Sequence, residues 1–116
     1  MDSPCIESYR FGRLVVDGQS YGRDLIILPT EVLPDWWRQE GHTLHPADLE
    51  PVLKARPDVL VVGLGAYGRV RVTAETRKAL HGEGIELVAQ TTKEACDTYN
   101  SLRKEKAAAA ALHLTC

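Results

Sequence analysis

Residues 58–72 read DVLVVGLGAYGRVRV, and no other stretch limits the possible folds of this chain as strongly. Its first part is a short, nearly continuous apolar run rich in valine, the pattern of a strand buried on both faces. Three glycines follow in the order Gly63-x-Gly65-x-x-Gly68, the order of a dinucleotide-binding loop. In such a loop the last glycine opens a helix whose free N–H groups face the pyrophosphate. Here Gly68 is followed by Arg69-Val70-Arg71-Val72, an alternation of period two that predicts a short strand. The helix is displaced to Thr73 or Ala74. The acid that would hold a ribose belongs at the end of the next strand, about 20 residues on, and that strand ends Val88-Ala89-Gln90. The stretch reads as strand, glycine turn and strand. A nicotinamide-dependent oxidoreductase becomes a minority reading, and no cofactor is expected. Free N–H groups in the turn, with Arg69 or Arg71 near, leave room for a small anion.

Upstream, YRFGRLVV alternates bulky and polar residues, and Asp17-Gly18 supplies a strong hairpin-turn signal. Strands are predicted near 9–16 and 20–28, the second stopped by Pro29. Residues 29–46, with Pro29, Pro34, Gly41, Pro46 and the pair Trp36-Trp37, are either a functional loop or hold an extra strand. HPADLEPVLKARP predicts a short helix with Leu49, Val52 and Leu53 on one face. It begins at 47 or 48, so that Pro51 falls in the first turn, and it is ended by Pro57. TAETRKALHGEG predicts a helix capped by Thr73 and stopped by Gly82 and Gly84. After the strand IELVAQ, Thr91 and Glu94 have capping-box spacing, and Ala95, Tyr99 and Leu102 mark one helix face. The tail KEKAAAAALHLTC has two readings. Alanine propensity extends the helix through Ala111, or the helix breaks and a buried strand of small residues follows.

At 116 residues, residues 1–116 are expected to form a single domain. The formal charge of -2 argues against a surface built to bind nucleic acid. No apolar run approaches the roughly 20 residues of a membrane span, and MDSPCIESYR is neither a secretory signal nor a transit peptide. Cys5, Cys96 and Cys116 are odd in number and lack C-x-x-C spacing, which suggests reduced thiols in a cytoplasmic protein.

The densest chemistry lies in WWRQEGHTLH, residues 36–45. Arg38 can clamp an anion through two parallel hydrogen bonds, and His42 can act as acid or base near neutral pH. The structural reading is that one tryptophan fills the core, the other covers a loop, and Arg38 pairs with Glu40 at the surface. His42 and His45 lack the third ligand of a zinc site, so no metal is expected. On a terminal strand His113 and Thr115 share one face, opposite Leu112, Leu114 and Cys116, which makes Cys116 a buried, inert thiol.

Together these motifs resemble the Mth938-domain family, almost end to end. The resemblance runs from Tyr9-x-Phe11-Gly12 and Asp17-Gly18 through WWRQEGH, Asp48-Leu49, VLVVGLGAYG and RVRVTAE. It continues through GIEL, Thr91, Glu94-Ala95 and Tyr99-Asn100 to His113-Leu114-Thr115-Cys116. It implies a compact α/β fold with a mixed β-sheet, an N-terminal β-hairpin region and about three helices, and a tail that is a strand. The run Ala107–Ala111 departs from the family's more varied tail and leaves the start of that strand open. Relatives linked to respiratory complex I assembly imply a binding or assembly role, with a protein partner or a homo-oligomer. A pocket near the glycine loop is the implied site, carried over to Arg38, His42, Gly63, Gly65 and Gly68 and suited to an anionic metabolite. Leu64 stands where the family has a hydroxyl residue, which weakens a site that needs an oxygen there.

Overall fold

The computed structural model describes residues 3–116. Met1 and Asp2, part of the N-terminal stretch read above against targeting signals, lie outside the described residues. From the N-terminus, β1 (Ile6–Arg10), β2 (Arg13–Val16) and β3 (Gln19–Tyr21) form an antiparallel meander. β4 (Leu25–Leu28), β5 (Glu31–Leu33) and β6 (Thr43–Leu44) follow, then a 3-10 turn over Pro46–Leu49 and α1 (Glu50–Ala55). The rest alternates: β7 (Val59–Leu64), β8 (Arg71–Val72), α2 (Ala74–Gly82), β9 (Glu86–Gln90), α3 (Thr92–Leu102) and β10 (Ala108–His113).

The main sheet has the order β5-β4-β10-β7-β9, and β6 pairs with β8 in a small parallel ribbon. β10, β7 and β9 run parallel, whereas β4 and β5 are antiparallel to their neighbours. The fold is a mixed α/β sandwich, with three α-helices among the described residues. Side-chain alternation divides its core in two. Val59, Val61, Ala108, Ala110 and Leu112 face a layer made by α3 and the meander, with Tyr99, Ala95, Leu14 and Val16. Leu60, Val62, Ala109 and Ala111 face the other layer, with Leu49, Val52 and Leu80 from the α1 and α2 side. A strand covered on both faces must be apolar at every position, which is why β7 reads as a continuous valine-rich run.

The same geometry decides the ambiguous tail. All six residues of β10 are buried, and the strand lies between β4 and β7, gaining a hydrogen-bonded ladder on each side. Alanine's helix preference is a few tenths of a kcal/mol per residue, and two ladders plus two covered faces outweigh it. The helix ends at Leu102, and the strand starts at Ala108 rather than Ala107.

Both early strands are shorter than the alternation predicts. Phe11 and Gly12 interrupt 9–16 because Gly12 adopts φ +77 and its N–H donates to Leu114 O at 2.9 Å. The chain therefore reverses between β1 and β2. The 20–28 stretch breaks at residues 22–24, so β3 stays with β2 and β4 leaves for the main sheet. Asp17-Gly18 is the expected turn, with φ +47 and +81. Residues 29–46 hold two short extra strands, β5 and β6.

Helix starts also differ in detail. α1 begins at Glu50, because the first turn from Pro46 is 3-10 and is closed by Asp48, whose carboxylate accepts from His45 N–H at 2.8 Å. Thr73 caps α2 as expected, accepting from Thr76 N–H at 3.1 Å. Thr91 precedes α3 without capping its backbone. Its hydroxyl donates to the Glu94 carboxylate at 2.9 Å, while Gly65 O takes the Thr92 N–H at 3.1 Å. The reciprocal capping box is absent: the Thr91 and Glu94 side chains bond each other instead of the backbone.

Central alanines set the spacing of the layers. Ala110→Leu is expected to cost about 1–3 kcal/mol or more by overpacking, whereas Leu at the exposed Ala107 should stay within about 0.5 kcal/mol. Urea midpoints of the two variants check this.

Candidate functional site

β7, β9 and β10 end side by side at Leu64, Gln90 and His113. In parallel sheets ligands bind outside the carboxyl ends, where neighbouring connections leave for opposite faces. β7 leads to α2 and β9 to α3, on opposite layers. The crevice between them is filled by the glycine turn itself. A Cβ on Gly63 would lie 2.9 Å from Leu112 Cδ2 and from Thr92 Oγ1. Gly65 has φ +98, and a Cβ there would lie 2.9 Å from His113 Cδ2 and from Thr115 O. Gly68 has φ +67 and sits beside Thr91. The first two glycines permit close packing of strand, helix and tail, and the second and third permit left-handed backbone.

Three N–H groups of this turn are answered by the chain itself. Gly65 N–H donates to Thr92 Oγ1 at 2.9 Å, Ala66 N–H to Thr115 O at 2.8 Å, and Gly68 N–H to Gly65 O at 3.2 Å. Thr92 Oγ1 in turn donates to His113 O. The turn is stitched to the start of α3 and to the chain's last residues.

Arg38 is buried rather than paired with Glu40 at the surface. Glu40 faces His45 Nε2 at 3.3 Å, and Arg38 Nη1 reaches Asp24 Oδ2 at 2.9 Å. Its Nη2 and Nε both donate to Gly41 O, at 2.9 and 3.3 Å, and its guanidinium stacks 4.7 Å from the Trp36 ring. Asp24 also accepts from Leu114 N–H at 2.8 Å and meets His113 Nδ1 at 2.7 Å. The last contact fixes the tautomer. A carboxylate oxygen at that distance needs a proton on Nδ1, so Nδ1 cannot accept from Arg38 Nη2, 3.1 Å away. The other ring nitrogen, Nε2, is buried and has no hydrogen-bond partner among the described residues. The exposed His42 ring stands edge-on to His113, with centroids 6.0 Å apart.

Burial alone would raise the Asp24 carboxyl. The hydrogen bonds from His113, Leu114 and Arg38 outweigh it and hold the group below its usual value.

Of the residues singled out from sequence, Arg38, His42 and Gly65 meet at His113. Gly63 lies against Leu112 and Thr92, and Gly68 stands outside, beside Thr91. Asp24, Thr92 and the central place of His113 were missed. Asp24 sits 89 positions before His113, inside a stretch read as plain strand, so only the sheet order could have joined them. His42 and His45 turn to different partners, and among the described residues no group of three or more His, Cys, Asp or Glu could hold a metal.

The tryptophans divide roles. Trp36 is half-buried and donates from its indole to Asp48 O at 2.9 Å, whereas Trp37 is 78% exposed. Cys116, expected to be buried, is exposed because the strand ends three residues earlier. The buried thiol is Cys96, pushed up to about 12 by burial and by the neighbouring Asp97 charge. It stays protonated near neutral pH.

Residues 6–113 match the profile of a protein family of unknown function, DUF498/DUF598. The chain is 32% identical over 109 residues to NADH dehydrogenase [ubiquinone] 1 alpha subcomplex assembly factor 3 of Danio rerio, covering 91% of this chain and 61% of the relative. It thus spans about three fifths of that relative's length. A conserved hypothetical protein of Pyrococcus horikoshii OT3 superposes with a TM-score of 0.81 at 31% identity, over 96% of this chain and 98% of the other. A Mth938-like domain of Bordetella pertussis shares the fold at a TM-score of 0.68 and 20% identity, over 96% and 85% of the two chains.

Two outcomes follow from this geometry. Arg38→Ala leaves Asp24 short of its cation and is expected to cost about 3–5 kcal/mol. Because the folded carboxyl titrates below its unfolded value, Asp24 stabilises the fold above the ordinary carboxylate range. That contribution is lost as pH falls through the folded value. Urea melts between about pH 6 and pH 2 should therefore show a weaker acid dependence in Asp24→Asn than in the wild type. The second outcome concerns Gly65→Ala, which is expected to destabilise by about 2 kcal/mol or more. Gly41→Ala, with open space around it and no positive φ, serves as the mild control in the same melts.

Proposed function

The chain belongs to the DUF498/DUF598, Mth938-domain family, and from that premise we propose that it is a non-catalytic binding or assembly factor. One observation carries the reading: Arg38 and the glycine turn, which looked like a ligand site in the sequence, are engaged by the chain's own groups. Arg38 is tied to Asp24 and Gly41, and the glycine turn is tied to Thr92 and Thr115. What faces outward is aromatic, with Phe11, Trp37 and Tyr67 each more than half exposed. Large exposed aromatic side chains suit protein contacts. The relative in Danio rerio is named as an assembly factor, which supports protein partners for this chain as well. The three free cysteines support a cytoplasmic setting. No described helix is long and apolar enough to cross a membrane.

A second reading keeps a small anionic metabolite at Arg38, His42 and the Gly63, Gly65 and Gly68 turn. It rests on His113 Nε2, a buried ring nitrogen without a hydrogen-bond partner among the described residues, which must carry a proton to meet an anion.

Affinity purification from the native cell, combined with light scattering, tests the first reading. A stable partner or a defined oligomer is expected, and a monodisperse monomer that recovers nothing overturns it. Thermal-shift measurements with phosphate, nucleotides and carboxylic acids separate the two. No stabilisation is expected, although a ligand at 100 times its dissociation constant would add about 2.7 kcal/mol. A shift that disappears in His42→Ala would move the conclusion to the second reading.

A further inference from the structure

A groove lies away from His113, between the segment after β5 and the start of α1. Its volume is about 680 Å³. Its apolar surface comes from Ile26, Leu33, Pro34 and Pro51, and both tryptophans line it. Two exposed carboxylates stand on its wall, Asp35 from the turn after β5 and Glu50 from the first residue of α1. A third, Asp48, is buried with its oxygens engaged by the Gln39 and His45 N–H groups. Lys54 is the single cation in the lining. Arg38, behind Trp36, is already neutralised by Asp24.

The local backbone holds this surface open. Asp35 takes the left-handed conformation at φ +55, and Trp36 N–H donates to Asp24 O at 2.8 Å. Trp36 is then locked between the Arg38 guanidinium and its indole bond to Asp48 O. With Trp36 turned inward, the next side chain points out, and Trp37 is left 78% exposed at the groove.

We propose that this groove is a docking site for a basic segment of a partner protein, in which two Arg or Lys side chains flank an apolar residue. An indole face and a carboxylate are the two groups that best receive a guanidinium or ammonium, by cation–π contact and by a charge-assisted hydrogen bond. Three carboxylates against one amine give the groove the sign to attract such a segment. Asp35 and Glu50 lie on different elements, so a ligand that answers both must reach across the groove, as a chain segment does. The apolar floor takes the residue between the cations, and Trp37 supplies the kind of aromatic anchor that dominates interface energetics. The proposal rests on the reading of the chain as a binding factor and names the chemistry of its partner.

The chain's two tryptophans both line the groove, so intrinsic fluorescence reports occupancy directly. The probe is a capped seven-residue peptide alternating arginine and leucine, with a twin carrying glutamate in place of arginine. The arginine peptide is expected to shift tryptophan emission saturably, to weaken with added salt, and to be preferred over its twin. Affinity should fall about tenfold or more in Trp37→Ala, read through Trp36, and in the double variant Asp35→Asn, Glu50→Gln. All three positions are exposed, so these variants retain the fold. Equal binding of the glutamate twin, or unchanged affinity in both variants, overturns the proposal. So does an equal response to free arginine, which would make the occupant a small cation. Self-association lost in Trp37→Ala would assign the groove to a second copy of the chain and also overturn it. The two readings fail separately. A cellular partner recovered equally on wild-type and Trp37→Ala chains removes the groove assignment and leaves the binding role. Peptide specificity without any cellular partner leaves the groove and removes the assembly role.

Discussion

One carboxylate organises the end of the main sheet where β7, β9 and β10 finish. Asp24 stands just before β4, and its two oxygens reach the Leu114 N–H, the His113 ring and the Arg38 guanidinium. Three segments far apart in sequence are thereby held to one point. The consequences spread outward from it. Arg38, drawn in by the charge, anchors the loop between β5 and β6 and gives Trp36 a cation to stack on. Trp36 in turn decides where Trp37 points. A charge this well surrounded costs little to bury, because each oxygen has a donor and the counter-charge is adjacent. Removing a partner would leave the others buried and unanswered, so the interaction matters more for the shape it imposes than for any net attraction.

The glycine turn shows how one sequence pattern serves a different physical end. In a dinucleotide site the glycines clear space for a pyrophosphate. Here they clear space for the chain itself: Gly63 for Leu112 and Thr92, Gly65 for His113 and Thr115. The N–H groups that would face a phosphate face Thr92, Thr115 and the turn's own carbonyl. Motif and geometry agree on the need for glycine and differ on what occupies the space.

What could be read from sequence follows the range of the forces involved. β7, α2 and the Asp17-Gly18 turn were legible because their causes are local: a continuous valine run, a Thr73 cap, a residue pair that accepts positive φ. The break at Phe11-Gly12 was hidden, since alternation continues across it and the reversal is anchored by Leu114, about a hundred residues away. β10 was undecidable from alanine propensity, because its stability comes from two ladders with distant strands. At the site, Arg38 and His42 were found by their chemistry within one dense stretch. Asp24 and His113 gave no such signal, since a lone acid before a strand and a lone histidine near a terminus acquire meaning only through pairing. The Mth938-domain resemblance supplied the final strand that local preference could not.

The position of β10 also has a consequence for how the chain is made. It fills the slot between β4 and β7, yet it is made after both of them. Until residue 113 has emerged, β5-β4 and β7-β9 cannot join, and each keeps an unpaired apolar edge facing the gap. The closing step brings together segments more than 80 residues apart, the kind of contact that forms slowly because a long loop must be ordered first. During that interval the growing protein is two half-sheets with sticky inner edges, and its main hazard is pairing with a neighbour instead of with its own tail.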